Sequence, residues 1–455
     1  MANAGLSGTE KRVAFSLAGV FGLRMLGLFM IMPVFALYGQ HLQGFSPLWV
    51  GIAIGAYGLT QALLQIPMGI LSDKIGRKPV ILGGLVLFAI GSVVAAMSTS
   101  IYGVVAGRAI QGMGAIAAAV LALAADLTRD EQRTKVMAII GMCIGGSFAV
   151  ALLLGPVVAQ HLGLSGLFGL TGVLAIVGMI IMQLLVPNPV HHAPAGDTLA
   201  QTGKLWQMLK DPQLFRLDAG IFLLHLVLTA VFVALPLDLV DAGLVKEKHW
   251  MLYFPAFVGS FMLMVPMIII GVKRQNTKQM FQIALVIMVL ALSLMASLPH
   301  SLVALSIAII AFFTGFNYLE ASLPSLISKF CPVGAKGSAM GVYSTSQFLG
   351  AFCGGLFGGG AYQLLGSVGV FVVAVVLMLI WIGLTFGMRN PTLLKSYTLE
   401  AAVQGREQAK QMAAKLSQLD GVAEAIVVLE EKVAYLKVND QFDLTAARAV
   451  LGSAN

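Results

Sequence analysis

Gly69 to Val80 read GILSDKIGRKPV, a stretch with four charged residues among twelve. A long apolar run stands on each side of it, at 48–71 and at 79–98. A helix needs about 20 apolar residues to cross the hydrocarbon core of a bilayer, and both runs reach that length. The stretch therefore predicts two transmembrane helices joined by a short charged loop at one face of a membrane.

The same alternation of apolar runs and short polar loops continues through most of the chain. Of its 455 residues, 58% are hydrophobic and 11% are charged, whereas a soluble domain carries about 25% charge. The 51 glycines suit helices that pack closely within a bilayer. We predict an all-α membrane protein with twelve spans, near 13–38, 48–71, 79–98, 101–125, 136–160, 165–187, 214–240, 250–271, 279–298, 302–327, 338–364 and 367–388.

Basic residues lie almost entirely in the loops on one side of the predicted membrane. If the N-terminus is inside, the outside loops hold only Lys246 and Lys248. The positive-inside rule then places both termini in the cytoplasm, and we expect the inner membrane of a bacterium. This placement explains the net charge of +8 without a nucleic-acid surface. Lys11 and Arg12 precede the first run without a following cleavage site, which predicts a retained first span.

The two groups of six spans resemble each other. Three short sequences recur in order at offsets of about 200 residues, namely Pro67-Met68 with Pro266-Met267, Gln160…Gly163 with Gln363…Gly366, and Asn188-Pro189 with Asn390-Pro391. Such a repeat predicts a duplicated six-helix unit. The predicted domains are an N-terminal bundle (1–187), a cytoplasmic linker (188–213), a C-terminal bundle (214–390) and a soluble cytoplasmic domain (391–455).

The composition changes after Pro391, where charge rises and the apolar runs shorten. The pattern predicts strands at Lys395–Leu399, 425–431 and 432–438, with helices at 400–419 and 442–451. This βαββα order is typical of a ferredoxin-like α/β sandwich without its last strand. Its sequence has no cysteine, and the three cysteines before it have no pair spacing, so neither a disulfide framework nor a metal site is expected.

The stretch at 69–80 resembles the signature of the major facilitator superfamily through Gly69, Asp73, Lys74, Gly76, Arg77 and Lys78. It stands at the end of the second span, as in that family, and the whole pattern is similar to the YajR-type branch, in which a soluble domain follows the twelfth span. The resemblance covers about residues 10–390. It implies two six-helix bundles that export drugs or small solutes by alternating access, driven by a proton gradient with no cofactor.

In the superfamily this signature is a latch, and the resemblance extends that role to a set of residues here. Gly69 would bring the second span close to the eleventh, and Asp73 would meet the N-terminus of the eleventh span at Gly337, Ser338 and Gly341. Arg77 would pair with Asp126 at the end of the fourth span. These contacts would stabilise an outward-open state. The alternative is that Lys74, Arg77 and Lys78 only fix the topology.

Six polar residues within spans are candidates for proton coupling or the central cavity, because a polar or charged side chain in a bilayer is costly. They are Arg24, Arg108, Gln111, His225, Asn317 and Glu320. Glu320 is the best candidate proton carrier, and the alternative is a neutral acid bonded to the fourth span. Arg108 and Gln111 belong to an Arg-x-x-Gln-Gly element that resembles one in the superfamily, and the alternative is a structural pair. The alternative for Arg24 is that its side chain snorkels to the membrane surface. The alternative for His225 is that it is a hydrogen-bonded packing residue.

Gly155 and Pro156 in the fifth span form a partial match to the antiporter signature of drug:proton exchangers. The alternative is a packing notch with a kink.

These residues bear on three classes of function. A proton-coupled exporter accounts best for the buried charges, with an importer of the same fold as an alternative. A membrane sensor or scaffold whose tail binds a partner is the second class, and buried charge argues against it. An enzyme is not expected, since no catalytic constellation or phosphate-binding loop is present. The expected partners are a small-molecule substrate, the lipid bilayer and a regulatory partner of the tail; we expect no nucleic acid and a monomeric transport unit.

Overall fold

The computed structural model describes residues 5–188, 202–274, 276–332, 335–390, 395–401, 403, 405–429, 431–439 and 441–451. The chain is largely helical. The helices of the first half are α1 Gly8–Phe29, α2 Phe35–Tyr38, α3 Pro47–Ile75, α4 Arg77–Met97, α5 Ile101–Met113, α6 Ala117–Asp126 and α7 Asp130–Leu185. Those that follow are α8 Thr202–Lys210, α9 Pro212–Asp241, α10 His249–Lys273, α11 Thr277–Ser297, α12 Leu302–Phe330 and α13 Lys336–Thr385.

In the described part of the chain, ten helical stretches are long and apolar enough to cross a membrane. Two of them, Lys135–Leu185 and Lys336–Thr385, have 51 and 50 residues. At 1.5 Å per residue these would be about 75 Å long, more than twice the thickness of the hydrocarbon core. Each is broken once, at Gly163 (φ 65°) and at Gly366 (φ 71°), a backbone conformation that glycine adopts without strain. Each therefore forms two spans, which makes twelve.

With twelve spans, both ends of the membrane unit lie on one side, which we call the terminus side; α3 ends there at Ile75 and α12 at Phe330. The opposite side is called the loop side. On the loop side the two halves are in close contact along α3 and α13. A Cβ atom built on Gly51 would lie 1.9 Å from the carbonyl oxygen of Gly355, and one on Gly55 would lie 2.8 Å from that of Phe352.

Aromatic contacts also join the halves towards the loop side. The ring of Phe148 in α7 lies 5.1 Å from that of Phe257 in α10 and 6.2 Å from that of Phe313 in α12. At the loop-side surface, Lys246 Nζ lies 4.5 Å from the centre of the Tyr38 ring. These contacts close the molecule on the loop side.

The halves are apart on the terminus side. Among the described residues, the hydrogen bonds and ion pairs between helix ends there stay within one half. In the first half Arg129 Nη2 lies 2.8 Å from Glu10 Oε2, and in the second half Lys278 Nζ donates to the carbonyl of Phe386 at 2.9 Å. The gap between the bundles is therefore open towards the terminus side.

The tail forms the predicted βαββα unit, with β1 Lys395–Glu400, α14 Arg406–Ser417, β2 Val422–Val428, β3 Val433–Val438 and α15 Leu444–Leu451. The sheet is antiparallel in the order β1-β3-β2. One face of β3 carries Ala434, Leu436 and Val438, which pack with Leu416 of α14 and Leu451 of α15. The tail thus has its own hydrophobic core.

Two features were absent from the sequence prediction. The predicted linker contains the helix α8, although most of the linker (189–201) lies outside the described residues. The fourth span is divided into α5 and α6 by a short non-helical segment that starts at Gly114. A Cβ at Gly114 would lie 2.2 Å from the carbonyl oxygen of Gly84, so α4 approaches the chain closely at this break.

Candidate functional site

A polar cluster lies in the second half, about midway across the membrane. It joins Glu320 of α12, His225 of α9 and Gln347 of α13. The amide nitrogen of Gln347 donates to Glu320 Oε1 at 3.1 Å and lies 3.0 Å from His225 Nε2. His225 Nδ1 lies 3.8 Å from Glu320 Oε2. The structure therefore brings together two predicted residues, Glu320 and His225, through a third that the sequence analysis did not select.

The predicted alternative for Glu320, a hydrogen bond to the fourth span, is wrong in this structure, because its amide partner is on the eleventh. Gln347 occupies the polar segment STSQF of an otherwise apolar helix, a signal that was available in the sequence.

The cluster has unused hydrogen-bonding capacity. Glu320 Oε2, His225 Nδ1 and the Tyr343 hydroxyl have no hydrogen-bond partner among the described residues. The Glu320 side chain is 36% exposed, and it lies ten residues, or about 15 Å, from the terminus-side end of α12. A carboxyl group in this setting can take up a proton or a donor group of a ligand.

Asn317 lies one turn before Glu320 on α12 and has a structural partner. Its amide donates to Ser260 Oγ of α10 at 2.8 Å, and its side chain is buried. A buried amide with this partner fixes the contact between α10 and α12. Asn317 therefore supports the helix that carries the cluster.

Arg108 lies inside the first half. Its guanidinium donates to the carbonyl oxygens of Ala53 and Ile54 in α3, at 3.3 and 3.2 Å, and to Gln111 Oε1 at 2.9 Å. Gln111 in turn donates to Ser92 Oγ of α4 at 2.8 Å. With 1% and 0% exposure, Arg108 and Gln111 link three helices rather than line an open cavity, so their predicted cavity position is wrong for this conformation.

Arg24 is also fully buried, at 0% exposure. Its Nη2 donates at 2.8 Å both to Gln61 Oε1 and to the carbonyl of Gly114 at the break between α5 and α6. Neither snorkelling to a surface nor a position in the cavity describes this residue here. The carbonyl end of α5 carries partial negative charge, which stabilises the cation. The Tyr57 ring lies between the two arginines, 5.6 Å from Arg24 and 5.2 Å from Arg108.

The latch residues of the first half form a buried ion pair. Arg77 Nε lies 3.1 Å from Asp126 Oδ2, and both side chains are at most 1% exposed. Arg77 Nη1 lies 2.5 Å from Asp73 Oδ1, which is 40% exposed, and it donates to Ser72 Oγ at 2.9 Å. The pair between Arg77 and Asp126 has the geometry that the sequence analysis predicted.

The hydrogen bonds and ion pairs of this loop in the described part of the chain stay within the first half, and the predicted contacts with the eleventh span are not among them. A Cβ atom built on Gly69 would lie 3.3 Å from Cβ of Ala118 in α6, a helix of the same half. The predicted close approach of Gly69 to the eleventh span is therefore wrong in this conformation. Asp73 is paired within its own half, while Gly337 and Ser338 lie buried at the start of α13. The two halves are separated on this side, which keeps these residues apart.

The remaining residues of the loop have local roles. Gly76 has φ 99° at the turn between α3 and α4, a conformation that requires glycine. Lys78 donates to the carbonyl of Val186 at 2.7 Å and so ties α4 to the end of α7.

Gly155 allows α7 to approach the end of α1, because a Cβ there would lie 2.5 Å from the carbonyl oxygen of Met30. Pro156 follows within the helix. This contact has the geometry of the packing notch that was the alternative to an antiporter signature.

Comparison with known proteins agrees with this architecture. The sequence model described as Major Facilitator Superfamily matches residues 17–352. The inner membrane transport protein YajR of Escherichia coli (strain K12) is 43% identical over 434 residues, which cover 95% of each chain. The multidrug resistance protein MdtH of Aeromonas salmonicida (strain A449) is 27% identical over 74% of this chain and 84% of its own.

A solved structure has the same fold. It is a bacterial homologue of the human lysosomal transporter Spinster in an inward-facing, unoccupied conformation, with a TM-score of 0.68 and 16% identity over 84% of this chain and 97% of the other. The family match covers most of the membrane unit, and the relative in Escherichia coli extends through the tail. The chain belongs to the major facilitator superfamily of membrane transporters.

Proposed function

We propose that this protein is a proton-coupled secondary transporter that exports small solutes, drugs among them, by alternating access. The observation that carries the proposal is the cluster of Glu320, His225 and Gln347. It places a titratable carboxyl group and an imidazole on facing helices, beside the gap that opens to the terminus side. A proton gradient would supply the energy without any cofactor.

We infer that the terminus side is cytoplasmic. The loops on that side carry nearly all of the basic loop residues, whereas Lys246 and Lys248 are the basic residues of the opposite loops. With this orientation the structure is open to the cytoplasm and closed towards the outside. Both termini and the tail would lie in the cytoplasm, and the membrane would be the inner membrane of a bacterium.

In the proposed cycle, Glu320 takes up a proton while the gap is open to the outside and loses it while the gap is open to the cytoplasm. Loss of the proton leaves Oε1 with its Gln347 donor and makes Oε2, which has no partner among the described residues, an acceptor for a donor group of the substrate. Substrate binding and proton release then occur at one carboxyl group, which makes the exchange obligatory. The rocking of two bundles around a central site supplies the change of access.

Export is favoured over import by the names of relatives. MdtH is called a multidrug resistance protein, and a protein of Staphylococcus aureus with 22% identity is called a quinolone resistance protein. The partial antiporter element at Gly155 and Pro156 agrees with this direction. A sensor or scaffold would have no use for a carboxyl group beside an open gap, so it remains the second hypothesis.

The packing register of α3 and α13 supports the latch in the opposite, terminus-closed state. On the loop side the two helices run antiparallel, with Gly55 against Phe352. Gly69 is fourteen residues after Gly55, and Ser338 is fourteen residues before Phe352. If the helices close along the same register, Gly69 meets Ser338 and Asp73 reaches the start of α13. The free N–H groups of a helix N-terminus would bind the Asp73 carboxylate there.

We infer that the tail is a ferredoxin-like domain, because its βαββα order and its β1-β3-β2 sheet are those of that fold without the last strand.

The function is tested by transport in proteoliposomes with an imposed proton gradient. The probe is a compound, from a panel that includes a quinolone and ethidium, which raises the melting temperature of the pure protein. The wild type should move this probe against its gradient with opposite proton flux. In Glu320→Gln, uphill transport should fall at least tenfold while the protein stays folded. Glu247→Gln, a loop-side control, should transport normally. Proton flux of wild-type size in Glu320→Gln would exclude Glu320 as the carrier.

A further inference from the structure

The central strand of the tail is buried on both of its faces. One face packs on the two helices of the tail, as described above. The other carries Val433, Tyr435 and Lys437, with exposures of 6%, 2% and 7%. An antiparallel sheet with helices on one face normally leaves its second face in water. Something other than the tail's own helices must therefore cover this second face.

Lys437 shows what lies against this face. Its Nζ donates to the carbonyl oxygen of Lys329 at 2.8 Å and also to that of Cys331. These carbonyls belong to the last turn and the C-cap of α12. The last carbonyls of a helix have no partner within the helix and carry the negative end of its dipole, so an ammonium group is well placed there. The tail is docked on the terminus-side end of α12.

The docking point adjoins the segment that closure requires. The segment between α12 and α13 begins at Cys331, and α13 starts at Lys336. By the register derived above, Asp73 at the end of α3 comes to the beginning of α13 when the terminus side closes. The docked tail therefore lies at the end of α12, and on closure the end of α3 approaches the start of α13, the next helix along the chain. The helix that receives Lys437 is also the helix that carries Glu320.

We propose that the C-terminal domain is a conformational brake: docked through Lys437 on the end of α12, it holds the terminus side open by standing next to the start of α13, which the end of α3 approaches on closure. Release of the tail permits the latch between Asp73 and α13 to form. Closure and docking are then alternatives, so any partner that draws the tail away promotes the terminus-closed state. The inference uses the fold and the register and holds whether or not Glu320 carries the proton.

The conformational test uses distances between two spin labels on the full-length protein. Labels are placed at Ile75→Cys and Arg274→Cys, at the corresponding terminus-side ends of α3 and α10, in a background with Cys143, Cys331 and Cys353 changed to Ser. The protein with native Lys437 should show mainly the long, open distance. Lys437→Ala should lower the ratio of open to closed populations about fivefold or more. Lys415→Ala, an exposed lysine of α14, should leave the ratio unchanged.

Two further variants separate docking from folding of the tail. Lys437→Arg retains a cationic donor and should keep most of the open population. A short thiol cross-linker should join Lys437→Cys to the native Cys331. The cross-linked protein should keep the open distance, measured with labels that are not attached through cysteine. Distances that are the same in Lys437→Ala, in Lys415→Ala and in the native-lysine protein would overturn the brake and show that the tail only travels with the second half. Transport need not be measured, so this result is independent of the test of Glu320.

Discussion

At the scale of single residues, the two aspartates around Arg77 have different surroundings. Asp126 is fully buried against Arg77, whereas Asp73 is 40% exposed. Removing one member of a buried ion pair leaves the other charge without compensation, which costs about 3 to 5 kcal/mol. An exposed pair contributes about 1 kcal/mol or less. The two carboxylates of one latch are therefore expected to serve different purposes, stability for Asp126 and conformational choice for Asp73.

Asp126→Asn should lower the melting temperature of the detergent-purified protein clearly, because it removes the buried carboxylate of the pair and leaves Arg77 with only the partly exposed Asp73. Asp73→Asn should change the melting temperature little and should instead reduce the terminus-closed population, measured as the distance between spin labels at Ile75→Cys and Arg274→Cys. Lys11→Ala, at an exposed lysine near the start of α1, is the control for both. Equal melting temperatures for the two aspartate variants would show that the burial of Asp126 has no energetic role.

Some of these residue contacts could be predicted from the sequence, and others could not. The pair of Arg77 and Asp126 was predictable because the signature contains Arg77 and because Asp126 is the acid at the end of the fourth span. The partner of Glu320 could not be predicted. Which helix the carboxyl group contacts depends on how α12 is rotated about its axis, and the sequence pattern does not give that rotation. Arg108 and Arg24 show the same limit. The energetic cost of a charge in a bilayer marked both as important, but only the packing shows that they donate to backbone carbonyls of neighbouring helices.

At the scale of elements, α13 has glycines on two sides, and each side faces a different partner. Gly354 packs on the Leu226 carbonyl of α9 within its own half, with a Cβ distance of 2.2 Å. Its neighbour Gly355 packs on the Gly51 carbonyl of α3 in the other half, at 2.1 Å. In the proposed cycle, the first contact persists and the second breaks when the loop side opens. The composition predicted close helix packing, but not which glycines belong to the moving interface.

Gly355→Ala should therefore disfavour the closed loop side and populate the opposite conformation, because the added methyl group meets backbone of the other half. Distances between labels at Gln40→Cys and Val245→Cys, on the loop side of the two halves, should lengthen. Gly354→Ala is the matched control, one residue away with an equally close contact inside one half. It should lower thermal stability without changing the distance. Identical distance changes in both variants would mean that general loss of packing, and not the interface, controls opening.

At the scale of the whole molecule, the chain consists of a membrane unit and a tail that do not share a core. The tail residues around Leu416, Leu436 and Leu451 form a hydrophobic cluster separate from those of the two bundles. The boundary after Pro391 could be predicted from the sequence, because the long apolar runs end there and shorter, more charged segments follow. The docking of the tail was not visible, because it rests on one lysine and two backbone carbonyls.

Deletion of residues 392–455 should leave a membrane unit that inserts, purifies as a single species and binds the same probe. The physical reason is that both bundles keep every core contact, while α12 loses a cation at its C-terminus, where exposed carbonyls are readily solvated. Size-exclusion chromatography and melting curves with and without probe would measure this, with the full chain as reference. The truncated protein should also show the closed terminus-side distance more often than the full chain. Aggregation, or loss of probe stabilisation, would instead make the tail part of the folding core and would refute its description as a separable domain.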